Sequence, residues 1–379
     1  MQEPSIAFMA LGGGQRVGAS CYYLRLGGSH VLLDCGLGLN AGVPFAPNLY
    51  KLIETGLMDS FNQIGQIFIS HAHWDHVGYM ADFAAQCGQP VFYLTEITKV
   101  LSHFQIKTKM KSLRKRKIGL DVDSFFAQRV VGVSYGQEIP FRDYQVSFLE
   151  AGHIPGAMMT LFTVGNRRLL YTGDYSLKPT SWTSGCSMPA EEIDVLILCG
   201  LHARHPYVVR GANDLERIGR RIYENLLSHR SIYCRASQLS KGIELIRYLE
   251  TTPCRDYPLF IDDNIYAVVR AMESLGIPVL SKNVAPLGVQ RHDEAHAVIG
   301  TAKWPPRGHY RTVYGDFSLH DDFAATVDFI KEINPKIAFI VHSPPSRYHD
   351  RRTLEQEIMA DARCHTQCIF AENEDIYEF

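Results

Sequence analysis

Ser70-His71-Ala72-His73-Trp74-Asp75-His76 sets three imidazoles and one carboxylate within six consecutive positions, 71 to 76. An apolar core has no use for so many ligand-grade side chains in one loop. Ahead of the cluster, Ile67-Phe68-Ile69 is a short apolar run of the kind that forms a buried strand; behind it, Val77 to Phe83 has helical spacing. The cluster therefore falls where a strand gives way to a helix, and its side chains leave a rigid edge and converge. Imidazole and carboxylate are the ligands of zinc and similar divalent ions. His71 and His73, two apart, can share one ion, while Asp75 and His76 are displaced along the turn and can hold a second.

The rest of the chain sets the limits. With 379 residues and 46% apolar content it forms one large or two ordinary domains around a sizeable core. A net charge of -2 points to no particular partner. No stretch of about eighteen uncharged apolar residues occurs, and the first residues lack a basic segment followed by an apolar run. The expectation is a soluble, cytoplasmic protein with no membrane attachment. Nine cysteines, odd in number and mostly unpaired in spacing, fit a reducing compartment. Cys364-His365-Thr366-Gln367-Cys368 reads as two half-buried thiols rather than a metal knuckle.

In chain order, Ile6 to Leu11 reads as a strand entering the Gly12-Gly13-Gly14 loop, and Ser20 to Leu26 and His30 to Asp34 as two strands of a hairpin. Asp34 ends an apolar strand, where it either caps or orients a metal-binding histidine. Pro90 to Leu94 reads as a strand and Thr95 to about Lys117 as a helix. Seven of the eleven residues from Lys107 to Lys117 are basic: Lys107, Lys109, Lys111, Arg114, Lys115, Arg116 and Lys117. In a chain of slightly negative charge this run is either a solvated face or a footprint for a polyanion.

Three further strand ends carry ligand-grade residues. Tyr144 to Glu150 runs into Ala151-Gly152-His153, and the hairpin of Met159 to Val164 and Arg167 to Tyr171 delivers Thr172-Gly173-Asp174. The continuous apolar run Ile337 to Val341 delivers His342, and Gly315-Asp316-Phe317-Ser318-Leu319-His320-Asp321-Asp322 precedes a helix from about Phe323 to Glu332.

His71-x-His73-x-Asp75-His76, His153 after Ala-Gly, Asp174 in Tyr-Thr-Gly-Asp and Asp34 in Leu-Leu-Asp-Cys-Gly together resemble the metallo-β-lactamase superfamily. Phe317-Ser318-Leu319-His320-Asp321-Asp322 followed by Val341-His342 is similar to its nucleic-acid-processing β-CASP branch. The resemblance implies an α/β fold: an αββα metallo-β-lactamase sandwich of residues 1–200 and 310–379, interrupted by a short β-CASP-like cap at 201–309. It implies two zinc ions, one on His71, His73 and His153, the other on Asp75, His76 and His342, with Asp174 bridging. It implies a catalytic apparatus that includes His320, Asp75 and Asp34, His320 serving as general acid or phosphate contact.

Two positions depart from the branch pattern. Cys199 stands where an acidic residue faces the histidine equivalent to His320, and the cap's arginine-bearing helix start appears as Leu239-Ser240-Lys241-Gly242. Lys241, with Lys111, Arg114, Lys115, Arg116 and Lys117, is expected to bind substrate phosphates. The expected function is a zinc-dependent nuclease acting on single-stranded nucleic acid, RNA sooner than DNA, as a homodimer or within a processing complex. The alternatives are a small-molecule metallo-hydrolase for thioesters, lactones or small phosphodiesters, and an inactive scaffold subunit. Loss of salt-dependent binding on neutralising the basic run separates the first from the second.

Overall fold

The computed structural model describes residues 5–112, 120–206, 213–281, 283–288, 294–346 and 353–379. The chain forms two compact units, the first of Met1–Pro179, Thr183–Val209 and His320–Phe379, the second of Thr180–Trp182 and Arg210–Leu319.

Two seven-stranded sheets build the first unit. One runs Ile376–Glu378, Ile6–Gly12, Cys21–Leu26, Ser29–Leu33, Ile64–Phe68, Val91–Thr95, Val130–Val133 from edge to edge. The other runs Gln367–Phe370, Ile337–Val341, Val195–Cys199, Arg167–Tyr171, Met158–Val164, Gln145–Glu150, Glu138–Pro140. Their facing side chains fuse into a single core, in which Phe8, Tyr22, Val31 and Phe68 meet Phe148, Phe162, Tyr171 and Phe339. Phe68 and Phe162 pack edge to face with ring centroids 5.2 Å apart, and Phe8 lies 4.8 Å from Phe339. The opposite face of the first sheet buries Leu32, Ile67 and Phe92 under Met80, Phe83 and Phe125 from helices. Strands covered on both faces need apolar residues at every position, which is why they read as continuous runs.

Strand direction gathers the ligand residues. Arg167–Tyr171, Val195–Cys199 and Ile337–Val341 are mutually parallel, so Asp174, Cys199 and His342 follow strand ends at one edge of their sheet. Gln145–Glu150 reaches the same edge through two antiparallel steps and brings His153 there. In the other sheet Ser29–Leu33 and Ile64–Phe68 are parallel and deliver Asp34 and the His71 loop together.

The helix expected from Thr95 is present as Glu96–Ser112, and residues 113–119 lie outside the described part of the chain. The helical run after the His cluster is two short helices, Trp74–Val77 and Met80–Gln86, with Gly78 packed against the Trp74 indole between them. Among the described residues no helix is long and apolar enough to cross a membrane.

The second unit is an all-parallel five-stranded sheet in the order Val284–Pro286, Leu259–Ile261, Ala297–Gly300, Ile232–Arg235, Arg311–Tyr314. Arg311–Tyr314 pairs with Ile232–Arg235, and the unit runs to Leu319. At its start, residues 201–206 group with the first unit.

Candidate metal centre

Each ligand loop is held by close backbone approach. Asp75 O accepts from Ser20 N–H at 2.9 Å, His76 O from Cys35 N–H at 2.8 Å, and a side chain at Gly36 would place its Cβ 1.6 Å from Asp75 O. The Gly12-Gly13-Gly14 loop docks the C-terminal histidine. Gly13 O accepts from His342 N–H at 2.6 Å and from the Tyr22 hydroxyl at 2.9 Å, with Gly13 at φ +69. Asp34 and His342 themselves adopt left-handed backbone, φ +59 and +53. Such geometry at non-glycine residues costs of order 1 kcal/mol or more and persists only where the surroundings impose it.

The side chains converge in two groups. His71, His73, His153 and Asp174 form one, and Asp75, His76 and His342 the other, each with its ligand atoms within 4.8 Å of one another. In the first, His73 Nδ1 lies 3.0 Å from His71 Nε2 and 3.3 Å from His153 Nε2. Asp174 Oδ2 stands 3.6 Å from His71 Nε2 and 3.8 Å from His153 Nε2. In the second, His342 Nε2 is 3.9 Å from Asp75 Oδ2. Asp174 Oδ1 turns to this group, 3.6 Å from His76 Nε2. Donors placed tetrahedrally at about 2.1 Å around one ion stand about 3.4 Å apart, which matches these separations.

The remaining ring nitrogens are occupied behind the cluster. His71 Nδ1–H meets Ser70 Oγ at 3.0 Å, and Ser70 in turn donates to Asp34 through Oγ (2.8 Å) and N–H (2.7 Å). His76 Nδ1–H donates to Asp34 Oδ2 at 2.6 Å, the Tyr171 hydroxyl donates to the same oxygen, and His342 Nδ1 meets Ser20 Oγ at 3.2 Å. Each partner leaves Nε2 pointing at the cluster. Asp34 thus stands behind the donor atoms, where it accepts from His76 Nδ1–H.

Electrostatics favour a cation. Burial first, and then the neighbouring imidazoles (His76 for His71, His153 for His73), push His71 well below its ordinary value and His73 down to about 3, so both are neutral donors. Burial acts the same way on His76, yet the Asp174 and Asp34 carboxylates outweigh it and lift the imidazole to about 10. Burial would raise Asp174, but the His76 and His342 imidazoles hold it well below the carboxylate range. Asp174 Oδ1 is buried and has no hydrogen-bond partner among the described residues. A buried carboxylate oxygen aimed between imidazoles fits a bound divalent cation.

His320 and Cys199 flank the cluster. His320 Nε2 is 3.8 Å from Asp174 Oδ2 and its side chain, 21% exposed against 3% for Asp174, forms the open rim. Burial pushes this imidazole well below its ordinary value, Asp174 acting in the opposite direction. Cys199 groups with Asp174 and His320. Burial, then the neighbouring Asp174, raises its thiol well above the ordinary value, so it remains S–H.

Of the residues expected to bind substrate, Lys241 opens a helix of the second unit and pairs with Asp316 at 2.7 Å. Arg114, Lys115, Arg116 and Lys117 lie outside the described residues, as does the side chain of Lys111. Within the run, Lys107 binds both Asp123 carboxylate oxygens at 2.8 and 2.7 Å. Lys109 lies with its Nζ 4.1 Å from the centre of the Trp74 ring. Burial lowers its ammonium to about 8, with Asp75 acting against that shift. The hydroxyls of Ser20, Ser70 and Tyr171 escape sequence reasoning, since each is an ordinary strand or loop residue until a distant histidine or carboxylate meets it.

A model of the metallo-beta-lactamase superfamily matches residues 14–214, more than half of the chain. Probable RNase MJ4 of Methanocaldococcus jannaschii is 31% identical over 217 residues, 55% of this chain and 48% of that protein. Cleavage and polyadenylation specificity factor subunit 3-II of Arabidopsis thaliana is 29% identical over 202 residues, 51% of this chain and 32% of that protein. The chain thus spans a third to a half of the length of these relatives. A crystal structure of a protein of unknown function from Enterococcus faecalis shares the fold over 99% of this chain and 100% of its own, with TM-score 0.65 and 14% identity.

Proposed function

Because this chain belongs to the metallo-beta-lactamase superfamily, we propose that it is a zinc-dependent phosphodiester hydrolase that cuts single-stranded nucleic acid, RNA sooner than DNA. The observation that carries this reading is Asp174, whose two carboxylate oxygens face two separate donor groups. That arrangement supports a site for two ions, His71, His73 and His153 holding one and Asp75, His76 and His342 the other. Relatives named as an RNase and as a cleavage and polyadenylation factor support a polynucleotide substrate.

Zinc held by these residues would supply Lewis acidity towards a phosphoryl oxygen and would lower the pKa of water in the site. The chain's own residues do the rest. Asp34, Ser70 and Ser20 fix the rings of His76, His71 and His342, so the donors need no reorganisation during reaction. His320, on the open rim, hydrogen-bonds the scissile phosphate through its ring N–H; acting as general acid would require the charge of the bound phosphate to restore the proton that burial removes. Lys241 and the basic residues Lys111, Arg114, Lys115, Arg116 and Lys117 hold backbone phosphates, which gives affinity without base choice.

The test is end-labelled single-stranded RNA and DNA incubated with the zinc-loaded protein, beside an Asp75→Ala/His76→Ala control. Cleavage that disappears in the control supports the reading, and the fragment ladder separates internal from terminal cutting. Loaded protein that cuts neither polymer overturns it and favours a small-molecule substrate.

A further inference from the structure

Three donors stand to one side of the two groups assigned above. Asp174, Cys199 and His320 each offer one ligand atom, and the three atoms lie within 4.8 Å of one another. Cys199 closes the strand Val195–Cys199, which pairs on one side with Arg167–Tyr171 and on the other with Ile337–Val341. Its N–H donates to Thr172 Oγ1 at 3.1 Å, two residues before Asp174. His320 is fixed from the same neighbourhood. The next residue, Asp321, accepts from Leu177 N–H at 2.7 Å, three residues past Asp174, and Asp322 caps the helix Phe323–Ile333 by accepting from Ala325 N–H at 3.0 Å. Cys199 and His320 line, with Tyr175, Leu201, Asp321 and Thr326, a cavity of about 10 Å³, room for a single ion or water and for no organic ligand.

We propose that Asp174, Cys199 and His320 form a third cation site, for zinc or a similarly thiophilic divalent ion, beside the two donor groups and sharing Asp174 with them. The proposal goes beyond the hydrolase reading, and its first readout needs no substrate. The donor set decides the class of ion: sulfur, imidazole and a carboxylate oxygen suit zinc or cobalt, whereas magnesium and calcium take oxygen donors. Three protein donors leave a fourth position to water. Asp174 Oδ2, 3.6 Å from His71 Nε2 and 3.8 Å from His153 Nε2, is also 3.8 Å from His320 Nε2, so one oxygen can bridge the first ion and the third. A cysteine that only fills space packs as a small apolar group; Cys199 instead faces a carboxylate and an imidazole. Its thiol holds a proton against Asp174, and an incoming ion takes that proton's place. The S–H bond breaks, the sulfur lone pair binds the metal, the proton leaves to solvent, and nothing is oxidised. An ion held there engages the ring that the hydrolase reading sets against the scissile phosphate, so metal beyond two equivalents slows hydrolysis.

The test titrates the metal-free full chain with Co(II), and separately with Zn(II), beside Cys199→Ser, His320→Gln and, as a control thiol, Cys186→Ser. Native mass spectrometry counts bound ions, and near-ultraviolet absorption reports thiolate-to-cobalt charge transfer. Wild type is expected to take two equivalents without that band and a third with it, and Cys186→Ser should behave the same way. Cys199→Ser should lose the band. Both Cys199→Ser and His320→Gln should weaken the third equivalent roughly ten-fold or more, while the first two bind as before. With bis(p-nitrophenyl) phosphate as substrate, the third equivalent of zinc should slow wild-type turnover and leave the rate of Cys199→Ser where two equivalents put it. Saturation at two equivalents, a band that survives Cys199→Ser, or loss of all bound metal in Cys199→Ser overturns the site, the last showing that Cys199 only supports the donor loops. A third ion that leaves wild-type turnover unchanged overturns the assignment of His320 as its ligand. Protein that turns over no phosphodiester refutes the hydrolase reading alone, because the ion count and the band are read without substrate.

Discussion

Asp34 Oδ2 accepts the Nδ1–H of His76 at 2.6 Å, with both side chains sealed from solvent. The same carboxylate gathers Ser70 N–H, Ser70 Oγ–H and the Tyr171 hydroxyl, so one buried anion orients the rear of the metal loop in both sheets. Its charge also keeps His76 basic, which strengthens Nε2 as a donor. Asp34→Asn preserves volume and removes the charge. Metal affinity should drop about 10–100-fold, as read by competition against a chromophoric chelator, and affinity within two-fold of wild type would show that the carboxylate does not tune His76.

Asp174 places both oxygens among imidazoles at 3.6 to 3.8 Å, and Oδ1 lacks any hydrogen bond among the described residues. A ligand that satisfies it binds only the folded chain, so metal should raise thermal stability by mass action. At free metal a thousand-fold above Kd the gain is about 4 kcal/mol. Chelation should therefore lower Tm measurably, and Asp174→Asn should shrink the gap between metal-loaded and stripped protein. A gap that survives Asp174→Asn intact would mean that the carboxylate is not a shared ligand.

Gly36 has no room for a side chain. Its Cβ would stand 1.6 Å from Asp75 O and 2.8 Å from His76 N, both backbone atoms that cannot swing aside. Gly36→Ala should destabilise the fold by about 3 kcal/mol or more and lower metal content, because Asp75 and His76 move with their backbone. Gly42 has open space around it and only its φ of +81 against substitution, so Gly42→Ala should cost about 1 kcal/mol and leave the metal untouched. Denaturant midpoints for the pair, with zinc content alongside, check both.

The grouping of these side chains was legible in part because several of them follow apolar strands that end at one edge of a sheet, while His73, Asp75 and His76 lie in the turn and short helix behind such a strand. Asp174 and His342 follow parallel strands of one sheet, His153 reaches the same edge through two antiparallel steps, and His71 follows a strand of the other sheet. What escaped is long-range. Ser20 meets His342 across 322 positions and Tyr171 meets Asp34 across 137, and no local pattern marks a hydroxyl for such a partner. The pairing of Arg311–Tyr314 with Ile232–Arg235 is likewise a long-range relationship that no local pattern marks. Lys109 was visible only as one cation in a run; which face of the helix it takes follows from Gln105 being anchored to Ala72.

Asp321 offers a test of burial next to the site. Enclosure lifts its carboxyl to about 6, the Leu177 N–H that it accepts at 2.7 Å acting in the opposite direction. Between the unfolded value near 4 and this raised one, the folded chain binds the extra proton, so this group's contribution is fully present at low pH and is lost as pH rises through about 6. By pH 7.5 the ionised carboxylate costs about 3 kcal/mol. Asn at this position keeps an oxygen for Leu177 N–H and carries no charge. Asp321→Asn should therefore raise Tm by a few degrees at pH 7.5, with the advantage fading towards pH 4, where the wild-type carboxyl is already protonated. Thermal melts of both proteins across that range decide it: a difference that does not vary with pH would mean Asp321 titrates as an ordinary carboxylate.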